Sequence, residues 1–201
     1  MPKYYYEITQ QTEEWYKLKS DKLGASNATA IANQGKGLDT EINKKMAEYF
    51  ASVKTENFSN SNTDRGNELE PIARSMYELE NGVNVKQVGF VEYNDFIGCS
   101  PDGLINDDGG LEIKCPENSV YFKLLIDGEK EIPSDYIWQC QMNLLITERN
   151  YWELMFYNPN FKKSFIVFRI YPDKEKFEKL RQGFIIAEEK IKLIKNKYQN
   201  L

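Results

Sequence analysis

The first third of the chain has the hydrophobic spacing of amphipathic helices, with apolar residues recurring at intervals of three and four. Ser26 is a suitable N-cap for the second predicted helix, and Asn81 followed by Gly82 ends the fourth. Because proline has no amide hydrogen, Pro71 must lie in the first turn of that fourth helix or kink it. The polar run 55–63 predicts a loop. The predicted helices cover residues 12–19, 26–32, 39–53 and 64–80.

Beyond residue 82 the hydrophobic period changes to two, which is typical of strands. The polar run 107–110 separates two apolar runs and predicts a hairpin turn. The predicted strands cover residues 88–93, 96–99, 104–105, 111–115, 151–157 and 164–170, with helices over 120–126 and 135–146. A last helix begins near Asp173, and its apolar residues repeat like a heptad seam: Phe177, Leu180, Phe184, Ala187, Ile191, Ile194 and Tyr198. We interpret this seam as a face docked on the chain's own core, with a contact between subunits as the alternative.

Composition supports one folded domain and removes several classes of chemistry. The 201 residues suit a single domain over residues 1–201, and 41% hydrophobic and 13% aromatic residues are enough for a core. Histidine is absent, which excludes serine–histidine–aspartate hydrolysis, cysteine–histidine proteolysis and metal sites built on imidazole. Catalysis would therefore depend on carboxylates, lysine, tyrosine, serine or cysteine.

Charge and cysteine content narrow the setting of the protein. The net charge is -5, so a nucleic-acid partner requires a local basic surface or bound metal ions. Cys99, Cys115 and Cys140 show no CxxC spacing, which disfavours a disulfide framework, a zinc knuckle and an iron–sulfur cluster. Because no apolar run approaches about 18 residues, we expect no membrane span and a cytoplasmic protein.

The strongest chemical signal is the segment SPDG at 100–103, which precedes EIK at 112–114. Alternation along a strand places Glu112 and Lys114 on the same face. A hairpin centred on residue 107 or 108 places Asp102 across from one of them. Oxygen ligands without imidazole favour Mg²⁺ or Mn²⁺, and a lysine beside such an ion can serve an attacking water or a phosphate. The alternative is a solvated hairpin with a cross-strand ion pair.

Asp102 followed by Glu112-x-Lys114 resembles the PD-(D/E)xK nuclease signature. The longer strings GCSPDGL at 98–104 and GLEIKCP at 110–116 resemble the phage lambda exonuclease and YqaJ-type viral recombinase group. The resemblance spans most of the chain and includes WYKLK at 15–19, GAS at 24–26, GNELEPIAR at 66–74 and the segment 136–147.

The resemblance implies an α/β fold with a three-layer, restriction-endonuclease-like core, in which helices flank a mixed central β-sheet. It implies an exonuclease of phage recombination that digests one strand of duplex DNA from the 5′ end with two Mg²⁺ ions, for which Mn²⁺ can substitute. Family members include trimeric rings that thread DNA and work with a single-strand annealing protein. A restriction-type endonuclease and a non-catalytic module that binds DNA ends are the alternatives.

Carried over residue by residue, the resemblance implies that Asp102, Glu112 and the Ile113 carbonyl hold metal. Lys114 would serve the nucleophilic water. Glu70, on the helix before the sheet, matches the remaining acidic position of the family and would join the catalytic and metal-binding groups.

Two of these expectations have rivals nearby in the sequence. Glu68 is the rival acid to Glu70, and a solvated glutamate is the alternative to a functional one. Gln141 lies in the middle of an apolar stripe, so its buried amide needs hydrogen-bond partners. Either it makes a structural hydrogen bond, or, as the family's glutamine motif implies, it contacts the catalytic lysine, water or phosphate. Gln139 points elsewhere on the predicted helix.

Three residues are candidates for binding DNA phosphate. Ser26 exposes its hydroxyl at a predicted helix N-terminus, with simple capping as the alternative. Lys19 stands where the lambda-type pattern has an arginine that meets the 5′ phosphate, and lysine keeps the charge without the bidentate fork. Ser100 precedes Pro101 and is therefore biased to an extended backbone, which can place its hydroxyl beside the metal site.

Overall fold

A computed structural model describes residues 1–51 and 61–201, with side chains described from residue 65 onward in the second range. The helices are α1 (Glu13–Lys19), α2 (Ala28–Asn33), α3 (Lys36–Phe50), α4 (Ser61–Asn81), α5 (Asn118–Asp127), α6 (Ser134–Thr147) and α7 (Lys174–Gln199). The strands are β1 (Lys3–Tyr5), β2 (Val85–Lys86), β3 (Phe90–Asn94), β4 (Ile97–Cys99), β5 (Gly103–Ile105), β6 (Gly109–Lys114), β7 (Tyr151–Tyr157) and β8 (Phe165–Ile170).

A five-stranded mixed sheet, ordered β2-β5-β6-β7-β8, forms the centre of the fold. Strands β6 and β7 are parallel and the other neighbours are antiparallel. A smaller antiparallel sheet has the order β1-β3-β4. The β5–β6 hairpin pairs Gly103 with Leu111 and Ile105 with Gly109, which centres it on residue 107 and confirms the predicted turn.

Helices cover both faces of the large sheet, giving three layers. On one face, Ala73 and Tyr77 of α4 pack with Leu111, Ile113 and Met155 of the sheet. On the other face lies a larger core with residues from α2, α3, α6 and α7, including Leu23, Ile31, Ile42, Leu144, Trp152, Leu154, Phe156, Leu180 and Phe184. Strand alternation therefore sends Leu111 and Ile113 toward α4 and leaves Glu112 between them facing α6.

The seam of α7 docks on the chain's own core, as predicted. Leu180, Phe184, Ala187 and Ile191 are all buried in the larger core. A side chain at Gly183 would place its Cβ 2.2 Å from the Ile31 carbonyl oxygen, so only glycine allows this approach to α2. Within the described residues, no helix has both the length and the apolarity needed to cross a membrane.

Several boundaries differ from the sequence prediction. Strands β1 and β2 were not predicted, because each is too short to show alternation and is stabilised by pairing, β1 with β3 and β2 with β5. Pro71 lies inside α4, not in its first turn, and it is exposed, so water can bind the carbonyl that it leaves unpaired. The predicted loop 55–63 is helical from residue 61, and its earlier part lies outside the described residues.

Candidate active site

A cleft of about 510 Å³ lies at the C-terminal end of β6, between α4 and α6. Its walls combine residues that are distant in sequence, because β6 passes between the two helices. Among the lining residues are Glu70, Asp102, Glu112, Lys114, Tyr136 and Gln139. The four charged residues of this set are all predicted site residues, and the fold brings them together.

Glu112 is the best-anchored acid of the cleft. Only 2% of its surface is exposed. Its Oε1 accepts hydrogen bonds from Lys114 Nζ at 2.7 Å and from Gln139 Nε2 at 2.5 Å, and its Oε2 accepts from Asn143 Nδ2 at 3.1 Å. A buried carboxylate is tolerated only when it is paired and hydrogen-bonded, so these three donors account for its position.

Lys114 shares these partners. Its Nζ donates to Gln139 Oε1 at 3.0 Å as well as to Glu112, and it lies 4.9 Å from the centre of the Tyr136 ring. Burial disfavours the charge, but the Glu112 and Asp102 carboxylates prevail and raise the pKa of Lys114 above its ordinary value. With these partners the lysine is cationic, and its ammonium can donate to a water or a phosphate oxygen.

Asp102 lies one residue before the first pair of the hairpin and across from Glu112, as the predicted register requires. Its Oδ2 accepts a hydrogen bond from the Ile113 amide at 2.6 Å. Burial raises the pKa of Asp102 well above its ordinary value, and the charges of Glu112 and Glu70 raise it further. The acids of this cleft therefore repel one another.

Glu70 projects from α4 and completes the acidic wall. It forms an ion pair with Arg74, whose Nε also donates to the Asp102 carbonyl at 3.1 Å. Burial raises the pKa of Glu70, although the Arg74 charge opposes the shift. Its rival Glu68 is exposed and does not line the cleft, so the structure places Glu70 on the side facing the sheet.

The oxygen donors of the cleft fit a hard divalent cation. Asp102 Oδ1 and Glu70 Oε2 accept no hydrogen bond from the described residues. A cation would offset the burial and the repulsion between carboxylates that raise both pKa values. Ile113 lines the same cleft. In the described part of the chain, no three acids or thiols lie close enough to enclose an ion. An ion held here would therefore take further ligands from water or phosphate, as Mg²⁺ commonly does.

Gln141 does not reach the cleft, and the expected contact with Lys114 is wrong. Its Nε2 donates to the Tyr171 carbonyl at 2.8 Å, and its Oε1 accepts from the Asp173 amide at 3.0 Å. Both polar atoms of this buried side chain thus hold the segment that leads into α7. The structural hydrogen bond, the first of the two interpretations of this glutamine, is the one that the structure shows.

Gln139 and Asn143 occupy the face of α6 that meets Glu112. The expectation that Gln139 points elsewhere is wrong, and the sequence analysis did not consider Asn143. Together with Tyr136 they are spaced by three and four residues, so they share one side of the helix. Gln141 is two residues from Gln139, about 200° around the helix. The spacing of three and four residues from Tyr136 through Gln139 to Asn143 is the sequence signal that could have identified these two residues.

The candidates for phosphate binding lie outside this cleft. Lys19 Nζ lies 3.7 Å from the centre of the Trp15 ring. Burial, followed by the charge of Lys45, lowers the pKa of Lys19 from 10.5 to about 8. Ser100 Oγ accepts a hydrogen bond from Trp15 Nε1 at 2.9 Å, so Trp15 lies between Lys19 and the strand that leads to Asp102.

Ser26 lies in a second cleft of about 610 Å³ beside α2 and α3. It is exposed within a short turn, and Asn27 takes the N-cap position of α2, so the predicted capping role of Ser26 is wrong. The preceding turn displaces the helix start by two residues. Two acids line this second cleft, and each accepts a hydrogen bond from a neutral side chain: Glu41 from Asn27 at 3.0 Å and Asp135 from Thr29 at 2.7 Å.

Comparison with known proteins identifies the family and the fold. The model of the YqaJ-like viral recombinase domain matches residues 14–150. The alkaline exonuclease LHK-Exo from Laribacter hongkongensis is 26% identical, with a TM-score of 0.80 over 94% of this chain and 99% of that one. LHK-Exo has also been solved in complex with dAMP. No curated protein sequence matches the chain.

A second solved structure supports the fold alone. The phage-related exonuclease from Haemophilus somnus 129PT is 15% identical, with a TM-score of 0.66 over 88% of this chain and 96% of that one. These similar structures are phage-type exonucleases of the restriction-endonuclease-like fold, which confirms the three-layer α/β prediction.

Proposed function

Because the chain belongs to the YqaJ-like viral recombinase domain family, we propose that it is a metal-dependent exonuclease of phage-type recombination. It digests one strand of linear duplex DNA from the 5′ end by hydrolysing phosphodiester bonds. The observation that carries this proposal is the convergence of Glu70, Asp102, Glu112 and Lys114 in one cleft. The similarity to the alkaline exonuclease from Laribacter hongkongensis supports it.

The acids of the cleft would hold two Mg²⁺ ions, for which Mn²⁺ can substitute. Asp102, Glu112 and Glu70 supply carboxylate oxygens, and Ile113 supplies its carbonyl. Bound ions would polarise the phosphoryl group and lower the pKa of a bound water. The Lys114 ammonium donates to the water or to the phosphate, while Gln139 keeps that ammonium beside Glu112.

DNA binding depends on local cations, since the whole chain carries a net charge of -5. Lys19 is the candidate for the 5′ phosphate, and the hydroxyls of Ser26 and Ser100 are candidates for the backbone. Long-range repulsion weakens any contact that one subunit makes with a polyanion. We therefore propose a closed trimeric ring that retains DNA topologically, with a single-strand annealing protein as partner.

One assay tests the reaction. Linear and closed circular duplexes are each incubated with Mg²⁺ or with chelator, and linear DNA is labelled at the 5′ or the 3′ end of one strand. The proposal requires Mg²⁺-dependent loss of linear DNA, early release of the 5′ label and an intact circle. Cleavage of the circle would identify an endonuclease. Protected but uncut ends would identify a non-catalytic binding module.

A separate measurement tests the assembly. Light scattering during size exclusion at micromolar concentration and low salt should give three times the mass of one chain. Excess unlabelled DNA should not stop digestion that has already started. A monomeric peak together with release of DNA after each cut would contradict the trimeric ring but would not contradict the proposed nuclease reaction.

A further inference from the structure

Asn143 is a polar residue in the most buried part of α6. Only 1% of its surface is exposed, and Met142, Leu144 and Leu145 beside it are buried too. Its Nδ2 donates to Glu112 Oε2 at 3.1 Å. Its Oδ1 is buried and has no hydrogen-bond partner among the described residues. A buried side-chain oxygen without a partner lowers the stability of the fold, so folding alone does not explain an amide at this position.

The hydrogen bonds to Glu112 show what the amide achieves. A carboxylate has about four lone-pair positions. Lys114 and Gln139 both donate to Oε1, whereas Asn143 is the single described donor to Oε2. The acceptor capacity left on Glu112 is therefore on Oε2, the atom that Asn143 holds.

We propose that Asn143 is a positioning residue that directs Glu112 Oε2 toward a divalent cation in the cleft. It acts through Glu112 and makes no contact with substrate. The inference rests on the proposed function, since it requires that the cleft bind metal. Partners of ligating carboxylates commonly change metal affinity or activity by about 10- to 100-fold when they are replaced.

The test compares Asn143→Leu with Thr147→Val. Leucine has the same branched skeleton of side-chain heavy atoms as asparagine, although its methyl groups are bulkier, and it has neither the donor nor the unpaired side-chain oxygen. Thr147 lies one turn further along α6 and is 5% exposed, and its hydroxyl donates to the backbone carbonyl oxygen of Asn143 at 2.7 Å. Thr147→Val therefore removes a buried hydrogen bond from the same helix without touching Glu112.

Calorimetry with Mn²⁺ in the absence of DNA is the first readout, and thermal unfolding in chelator is the second. Asn143→Leu should weaken Mn²⁺ binding by about 10- to 100-fold and should unfold at or above the midpoint of Thr147→Val. Thr147→Val should bind Mn²⁺ within about twofold of wild type. For Asn143→Leu, Mn²⁺ raised well above its new Kd should restore most of the turnover, which a general folding defect would not allow.

The outcomes separate this inference from the proposed function. If wild type neither binds Mn²⁺ nor cuts DNA, the function and the inference both fail. If wild type binds Mn²⁺ and Asn143→Leu binds it within about twofold, only the positioning role is overturned. If Asn143→Leu does not fold, Asn143→Ser replaces it in the Mn²⁺-binding measurement. Its hydroxyl is too short to reach Oε2 directly, so it should weaken Mn²⁺ binding several-fold, and an unchanged Kd would also overturn the inference.

Discussion

The cleft beside α2 and α3 and the cleft at the end of β6 differ less in volume than in the charges that they bury. The cleft beside α2 and α3 is the larger, about 610 Å³ against about 510 Å³. Of its acids, Glu41 accepts hydrogen bonds from Asn27 and from the exposed Lys44, and Asp135, which is itself exposed, accepts one from Thr29. In the smaller cleft, by contrast, burial and mutual repulsion raise the pKa values of Asp102 and Glu70.

The difference shows that volume alone does not identify the reactive site. Crowding acids in a buried cleft costs folding stability, and such groups cluster where catalysis or metal binding needs them. The larger cleft carries no comparable cost in its described residues. We therefore assign chemistry to the smaller cleft and, at most, contacts with the DNA backbone to the larger one through Ser26.

The largest expected effect comes from Lys114→Ala. Loss of the ammonium beside Glu112 should lower turnover by about 10²- to 10⁴-fold, because no other described cation contacts that carboxylate. DNA binding should survive, since Lys114 is not needed to hold the ions. Lys44→Ala, which removes a surface lysine paired with Glu41, is the control of equal charge. Near-normal turnover in a single-turnover assay would remove Lys114 from the mechanism.

Asp102→Asn should separate function from stability. Because the folded-state pKa of Asp102 is raised, its charge opposes folding once the pH exceeds the unfolded value, and the cost is complete above the folded value. Asparagine can still accept from the Ile113 amide. We therefore expect the variant to lose Mn²⁺ binding and most of its activity, yet to gain about 1 kcal/mol in unfolding free energy at pH 8 in chelator.

Urea denaturation at pH 8 and at pH 4 checks the stability part of this prediction. The gain should shrink at pH 4, where Asp102 is protonated in the folded wild type. A variant less stable than wild type at pH 8 would mean that Asp102 is not under electrostatic strain. Glu112→Ala should also lose Mn²⁺ binding in the same assay. Unchanged Mn²⁺ affinity in both variants would reject both residues as metal ligands.

Lys19 gives a smaller effect that depends on pH. Its pKa of about 8 means that the ammonium loses its proton between pH 7 and pH 9, and a neutral lysine does not attract phosphate. Affinity for duplexes with a 5′ phosphate should therefore fall several-fold over this range at constant salt. Lys19→Arg should show a flatter profile, since arginine keeps its charge. If wild type and Lys19→Arg showed the same dependence of DNA affinity on pH, Lys19 would not be the residue that binds the 5′ phosphate.

The register of the β5–β6 hairpin was predictable from sequence, but the contacts that its side chains make with α6 were not. The run 107–110 indicates a turn near residue 107, although Gly109 and Gly110 belong to β6. Strand alternation then places Asp102, Glu112 and Lys114 together. The choice between Gln139 and Gln141 depends on which side of α6 faces the sheet and which faces the start of α7. Because every residue from Cys140 to Thr147 is buried, hydrophobic spacing in this half of the helix does not distinguish the two sides.

Short strands and helix interiors show the same limit. Strand β2 has two residues and exists because it pairs with β5, so no local pattern marks it. The choice of Glu70 over Glu68 came from the resemblance to the family, and the structure places Glu70, not Glu68, on the wall of the cleft. The short strands and the contacts of each helix face depend on packing between segments that are distant in sequence, so no single segment predicts them.

The smallest expected effect is that of Glu41→Gln in the larger cleft. Glutamine keeps an oxygen for Asn27, so the unfolding free energy should stay within about 0.5 kcal/mol of wild type. Turnover at saturating DNA should not change, because Glu41 lies outside the cleft that holds Lys114. Removing a negative charge near Ser26 should tighten DNA binding by less than about threefold, and high salt should abolish the gain. A tenfold loss of turnover at saturating DNA would show that the larger cleft takes part in the chemistry and would end the distinction between the two.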